Sequence, residues 1–143
     1  MRVITVRQPW AWAIVHGGKD VENRTRNIVG SYRGPVAIHA AKKIASLDEE
    51  WADRLVGVIP RDDDSYPLAA IIGVVDLVGV HDVEKCRDPS DPWPATLCSA
   101  WAMWGQLHLE LANPRAIDPI PAKGKLGLWR PDAELLAQIE AAL

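Results

Sequence analysis

Gln8-Pro9-Trp10-Ala11-Trp12-Ala13-Ile14-Val15-His16-Gly17-Gly18-Lys19-Asp20-Val21-Glu22-Asn23-Arg24-Thr25 is the stretch on which the reading of this chain turns, because a short amphipathic run ends in paired glycines and passes straight into a segment dense in charge. Pro9 suits a first helical turn, where an N–H is not needed, and Gly17-Gly18 permits a left-handed exit after His16. Trp10, Ile14 and Gly17 share one face of that helix, with Ala11 and Val15 beside them, at the spacing of a core-facing stripe. Trp12 points elsewhere, and either packs under another element or offers an exposed indole. Beyond the glycines, Val21 to Thr25 alternates as a strand does, so that Glu22 and Arg24 fall on one face and Val21, Asn23 and Thr25 on the other.

Working outward, Val3 to Val6 reads as a short opening strand and Pro35 to Ala40 as another, followed by Lys42-Lys43 and a helix capped by Ser46 or Asp48 that includes Trp51 and Leu55. Pro60 and Asp62-Asp63-Asp64 mark an exposed loop, a solvated tip rather than a metal cage. Ala69 to Val80 is the longest apolar β run and should be central, with Gly73 and Gly79 allowing bends or bulges. Pro89 to Pro94 is irregular. Gln106 to Ala112 alternates and puts Gln106, His108 and Glu110 on one face; Leu126 to Trp129 adds a strand, and Asp132 to Leu143 closes as an amphipathic helix. The expected architecture is a single α+β domain over residues 1–143, a small, partly open β-barrel of about five to six strands flanked by helices.

Composition sets the bounds. At 143 residues and 48% hydrophobic, the chain buries one substantial core and is too short for two ordinary domains. Its first seven residues lack an apolar signal-peptide core, and the longest apolar run stops at Asp76, so a soluble, cytoplasmic protein without a membrane span is expected. Cys86 and Cys98 have eleven residues between them and no second pair, and His16, His39, His81 and His108 are scattered singly. That spacing indicates neither a zinc framework nor a disulfide scaffold, and no metal or cofactor is expected. The formal net charge of −3 conceals an asymmetry: residues 1–43 carry +6, residues 44–100 carry −8 and the remainder −1. A basic first third suits an anionic ligand at a local site; the alternative is that the two segments neutralise each other across the fold.

Lys19, Glu22 and Arg24 are the densest candidates for chemistry. A turn after a helix brings a lysine over the strand face that carries a carboxylate and a guanidinium. A carboxylate accepts from exocyclic amines while lysine and arginine donate to carbonyls and phosphates, so the trio can read a nucleobase or nucleotide. The plainer alternative is that Lys19 answers the helix dipole and Glu22 simply pairs with Arg24. Seven tryptophans and two tyrosines stand against no phenylalanine, and indoles both fill cores and stack on bases.

Four segments in order resemble the ASCH (activating signal cointegrator homology) family of the PUA-like superfamily: Gln8-Pro9-Trp10; Gly17-Gly18-Lys19-Asp20-Val21-Glu22-Asn23-Arg24; Arg33-Gly34-Pro35-Val36-Ala37-Ile38-His39; and Lys123-Gly124-Lys125-Leu126-Gly127-Leu128-Trp129. The resemblance spans nearly the whole chain. It implies a PUA-like barrel with a cleft lined by Trp10, Lys19, Glu22, Arg24, His39, Lys123 and Trp129, taking RNA or a nucleotide-like molecule such as a modified nucleoside. Trp51, Trp101 and Trp104 are expected to serve as packing. Some ASCH relatives resemble amidohydrolases that deacylate modified cytidine with the motif's lysine, a threonine three residues later and a distant glutamate. Lys19 matches the lysine, but Glu22 occupies the threonine's place, and Glu84, Asp88 and Asp91 supply no clear counterpart of the glutamate. A ribonuclease using Glu22 or His39 as base, with Lys19 or Arg24 stabilising charge, is the other enzyme reading. A protein-interaction adaptor using the acidic middle or Trp12 is the reading from a third class.

Overall fold

In the computed structural model, which describes residues 1–86 and 97–143, the chain runs from β1 (Arg2–Gln8) through α1 (Trp10–His16) into β2 (Val21–Arg24). Gln8 holds the first corner. It is fully buried; its Oε1 accepts the Trp12 N–H at 2.8 Å, satisfying a free donor of the first helical turn, and its Nε2 donates to the Pro67 carbonyl at 3.0 Å. The Gln8–Pro9 peptide is cis. The chain continues through β3 (Gly34–Ile44), α2 (Glu49–Arg54), a 3₁₀ turn (Asp63–Ser65), β4 (Ala70–His81), α3 (Val83–Cys86), β5 (Leu107–Pro121), β6 (Leu128–Trp129) and α4 (Ala133–Ala142).

The strands form one curled sheet in the order β2-β5-β4-β3-β1-β6, with β4 inside it as the sequence predicts. β1 and β3 run parallel and the other neighbours antiparallel. Register shifts between Ile71 and Gly73 and between Leu77 and Gly79 fall at the two glycines of β4; such bulges bend and twist a sheet. Strand alternation separates two cores. Ile4, Val6, Ile38, Ile72 and Val75 pack with Ile14 and Val15 of α1, whereas Val3, Ala37, Ile71 and Val74 pack with Trp129 and with Ile139 of α4. No described helix is long and apolar enough to cross a membrane.

Three boundaries differ from the sequence reading. β3 extends through Lys42-Lys43 because it keeps its parallel partner as far as Gln8, opposite Ile44. β5 passes Ala112 and reaches Pro121. Pairing with β2 stops at Glu110, and beyond it the far side of β5 has no strand partner among the described residues, an edge that tolerates Pro114, Pro119 and an Asn113 at φ +52°. β6 shortens to Leu128–Trp129, with Leu126 fully in solvent. Asp48 caps α2 by accepting the Trp51 N–H at 2.9 Å, and the Asp62–Asp64 run is exposed, Asp62 capping its own turn. Pro89 to Pro94 lies outside the described residues.

Gln8→Ala should cost about 1–3 kcal/mol, because it leaves two part-buried backbone groups, the Trp12 N–H and the Pro67 carbonyl, without their partner at once. A urea-unfolding midpoint unchanged from the native protein would show that water replaces both bonds.

Candidate functional site

Gly18, at φ +72°, turns the chain sharply after α1, and the Lys19 N–H closes the helix end on the Ala13 carbonyl at 2.9 Å. That turn folds the Lys19 side chain inward. Lys19 is 4% exposed, and its ammonium lies 3.6 Å from Glu22 Oε2, donates to the Val21 carbonyl, and sits 5.8 Å from the Trp10 ring and 5.9 Å from the Trp101 ring. Burial pushes the Lys19 amine below its ordinary value of 10.5, and the Glu22 carboxylate opposes that fall.

Glu22 and Arg24 share a face of β2, as strand alternation requires, and Arg24 Nη2 lies 3.0 Å from Glu22 Oε1 while donating to the Thr5 carbonyl at 3.0 Å. Glu22 is thus clasped by a lysine on one oxygen and an arginine on the other. The Arg24 Nε–H is buried without a hydrogen-bond partner among the described residues. Asn23, on the opposite face, donates to the Trp101 carbonyl at 2.8 Å and accepts the Met103 N–H at 2.9 Å, tying the segment before β5 to the strand that carries the charges.

Three adjoining hollows share these walls. The inner one, about 230 Å³, is lined by Trp10, Lys19, Glu22, Asp48, Trp51 and Gln106 among others. On one side lies a hollow of about 470 Å³ bordered by Arg7, Arg24 and Lys125, sharing Trp10, Glu22 and Asn23 with the first. On the other lies one of about 580 Å³ bordered by Arg54 and Trp104, sharing Asp48, Trp51 and Met103.

The structure therefore brings together Trp10, Lys19, Glu22 and Arg24 of the residues named from the sequence. It does not bring His39, Lys123 and Trp129 into the same hollows. His39 is buried on the sheet face that packs against α4, where its Nε2 lies 3.0 Å from the Ala122 carbonyl and its ring lies 6.3 Å from Trp129. Strand alternation puts it there: Ala37 and His39 face one way while Ile38 and Ala40 face α1. Lys123 is exposed, and Lys125, two residues on, borders the hollow of about 470 Å³ with its ammonium 5.2 Å over the Trp129 ring.

Of the tryptophans expected to pack, Trp51 is buried and also lines the inner hollow. Trp51 meets Trp10 edge-on at 5.0 Å and stacks on Trp101 at 6.2 Å, with Arg54 4.3 Å over its ring; Trp10 and Trp51 line the inner hollow, and Trp101 backs them. Trp104 is 56% exposed at the rim. Asn23 and the 101–103 segment escape sequence reasoning because the partners lie about eighty residues apart and no local pattern marks them. Away from the groove, His81, Cys86, Cys98 and His108 gather with their ligand atoms within 4.8 Å of one another.

The depressed Lys19 value fixes the sign of a pH effect. The unfolded chain holds the Lys19 proton up to about 10.4, the folded chain only to a lower pH, so stability rises as pH climbs through that interval and lacks the gain below it. Urea unfolding across alkaline pH should show this rise in the native protein and a flatter profile in Lys19→Met; equal slopes would mean the amine titrates as it does in water.

A sequence model of the ASCH domain matches residues 4–121, a span that takes in Gln8, the Lys19–Arg24 segment and His39. Over nearly its whole length the chain is also similar to solved ASCH structures from Zymomonas mobilis. One is 18% identical with a TM-score of 0.57, covering 99% of this chain and 95% of that one. A tyrosine-to-phenylalanine mutant of the same protein gives 18% and 0.58, covering 99% and 98%, and a serine-to-alanine mutant gives 17% and 0.54, covering 99% and 96%. At such identities the likeness concerns the fold, and it is the match over residues 4–121 that assigns the lineage: this chain belongs to the ASCH domain family.

Proposed function

We propose that this protein binds RNA or a nucleotide-like ligand, a modified nucleoside included, with one base in the inner hollow and its phosphate or sugar in the basic hollow beside it. The observation that carries the reading is the division of labour along the groove. The inner hollow sets the Glu22 and Asp48 carboxylates and the Lys19 amine against indole surface, the mix of acceptors, donor and apolar wall that a base edge requires. Its volume of about 230 Å³ falls below the roughly 300–1,000 Å³ of drug-sized sites. It suits a single base rather than a whole nucleotide. Arg7, Arg24 and Lys125 border the next hollow and supply positive charge where a phosphate would lie. Trp104, exposed beyond the other end, offers a stacking face for a neighbouring base of a single strand.

Tryptophan quenching with nucleosides, 5′-nucleotides and short single-stranded RNA tests this. Lys19→Ala should weaken all three about tenfold or more, whereas Arg7→Ala and Lys125→Ala should weaken only the phosphate-bearing ligands. With three cations at the phosphate side, the salt slope should be no steeper than about −2. Binding that ignores all three ligand classes, or that is unchanged in Lys19→Ala, overturns the proposal and leaves a protein partner as the reading to pursue.

A second reading, a small hydrolase using the same groove, is favoured by one specific arrangement. The buried Lys19 amine, its proton affinity lowered by burial, faces Glu22 at 3.6 Å, and Ser46, a hydroxyl-bearing residue, is among those that line the hollow. The hydroxyl missing at Glu22 would then come from another segment. A panel of N-acylated cytidines and a short RNA should be turned over by the native protein and not by Lys19→Ala or Glu22→Gln. Binding without turnover leaves a binding module.

A further inference from the structure

His81 ends β4 and His108 is the second residue of β5, and the two are direct cross-strand partners whose rings stand nearly perpendicular at 5.3 Å. Cys86 ends α3, which follows β4, and Cys98 lies in the segment that leads into β5. The order is His-x4-Cys-x11-Cys-x9-His, and folding closes it to a cluster no wider than 4.8 Å between ligand atoms. Cys86 Sγ lies 3.0 Å from His81 Nε2 and 3.0 Å from His108 Nδ1, and Cys98 Sγ lies 3.4 Å from the same His108 nitrogen. A tetrahedral site with Zn–S near about 2.3 Å and Zn–N near about 2.0–2.1 Å has edges of roughly 3.3–3.8 Å, so these spacings need only small adjustment.

The outer hydrogen bonds show which way the imidazoles present their lone pairs. His81 Nδ1 meets Glu110 Oε1 at 2.5 Å, and His108 Nε2 meets the Met103 carbonyl at 2.9 Å. A carboxylate and a carbonyl only accept, so each of those nitrogens carries the proton and the opposite nitrogen turns its lone pair into the cluster. Cys86 therefore faces two acceptors with one S–H to give. A cation satisfies both imidazoles and both sulfurs together. A carboxylate or carbonyl holding the far nitrogen is the usual support of a metal-bound histidine. The approach of Glu110 also depends on Gly79, since a Cβ there would lie 2.5 Å from the Glu110 carboxyl carbon.

We propose that His81, Cys86, Cys98 and His108 form a structural Cys2His2 zinc site. Two thiolates and two imidazoles in a compact set select a borderline-soft tetrahedral ion over magnesium or calcium, which take oxygen ligands. Four protein ligands leave no open position for substrate, which makes the site structural rather than catalytic. Cys98 is exposed and gives the ion a way in. The site would pin the end of β4 to the segment before β5, whose Met103 and Gln106 form part of the inner hollow. It stands independently of the proposed ligand.

The test uses the full chain, without a histidine tag, expressed with zinc in the medium. Elemental analysis should find about one zinc per chain, and Cys86→Ser and Cys98→Ser should each reduce it to about a tenth or less. Replacement by cobalt in the native protein should give the visible absorption of a tetrahedral thiolate site, a readout that does not depend on any variant folding. Glu110→Gln should keep the fold and weaken zinc about 10–100-fold. A strong chelator should lower the melting temperature, with zinc restoring it and magnesium not. Metal-free native protein that also fails to take up cobalt, or zinc retained in both cysteine variants, overturns the site.

Discussion

The contact on which the groove depends is the buried carboxylate of Glu22, held between the Lys19 ammonium at 3.6 Å and the Arg24 guanidinium at 3.0 Å. A charged amine shut away from water is costly to the fold unless a partner and hydrogen bonds compensate it, and removing one member of such a pair typically costs about 3–5 kcal/mol. The requirement propagates. Lys19 can be buried only if the chain reverses at Gly18, Glu22 can meet it only if β2 joins the sheet edge beside α1, and Arg24 reaches back to β1 through the Thr5 carbonyl. The same three residues that constrain the fold therefore line the place where a ligand would be read.

The sheet serves two different ends on its two faces. One face carries α1 and the larger core, and its open end becomes the groove. The other carries α4, Trp129 and His39, with the His39 ring bonded to Ala122 and the Gly124 backbone close against it. A motif that looks like one functional set along the chain is thus divided by the pleat. Its first half supplies the charged wall, and its second half supplies the lock that seats β6 and the last helix, with the Trp129 indole donating to Thr5 Oγ1 at 3.3 Å.

Between the groove and the histidine–cysteine cluster runs one short segment, residues 97–106, that belongs to both. Asn23 grips it at Trp101 and Met103 from the groove side, and Met103 in turn accepts from His108 on the cluster side. Its side chains include Trp101 over Lys19 and the exposed Trp104 at the rim. A segment with little secondary structure of its own is in this way fixed from both flanks.

Sequence alone was enough for whatever depends on near neighbours. The α1 stripe, the glycine exit, the alternation that puts Glu22 and Arg24 together, an α2 cap at Ser46 or Asp48 and the central apolar strand all follow from spacings of a few residues, because helical and strand periodicities act at that range. The strand limits at Ile44 and Pro121 were not legible, since a strand lasts as long as its partner does, and those partners lie far along the chain. Nor was it legible that His39 and Trp129 lie across the sheet from Lys19, that Trp51 and Lys125 line the groove, or that two of the four scattered histidines join both cysteines in one compact quartet. Local periodicity was written in the order of the residues; the convergence of distant side chains was decided by which strands pair and in what register, and only the tertiary structure carries that.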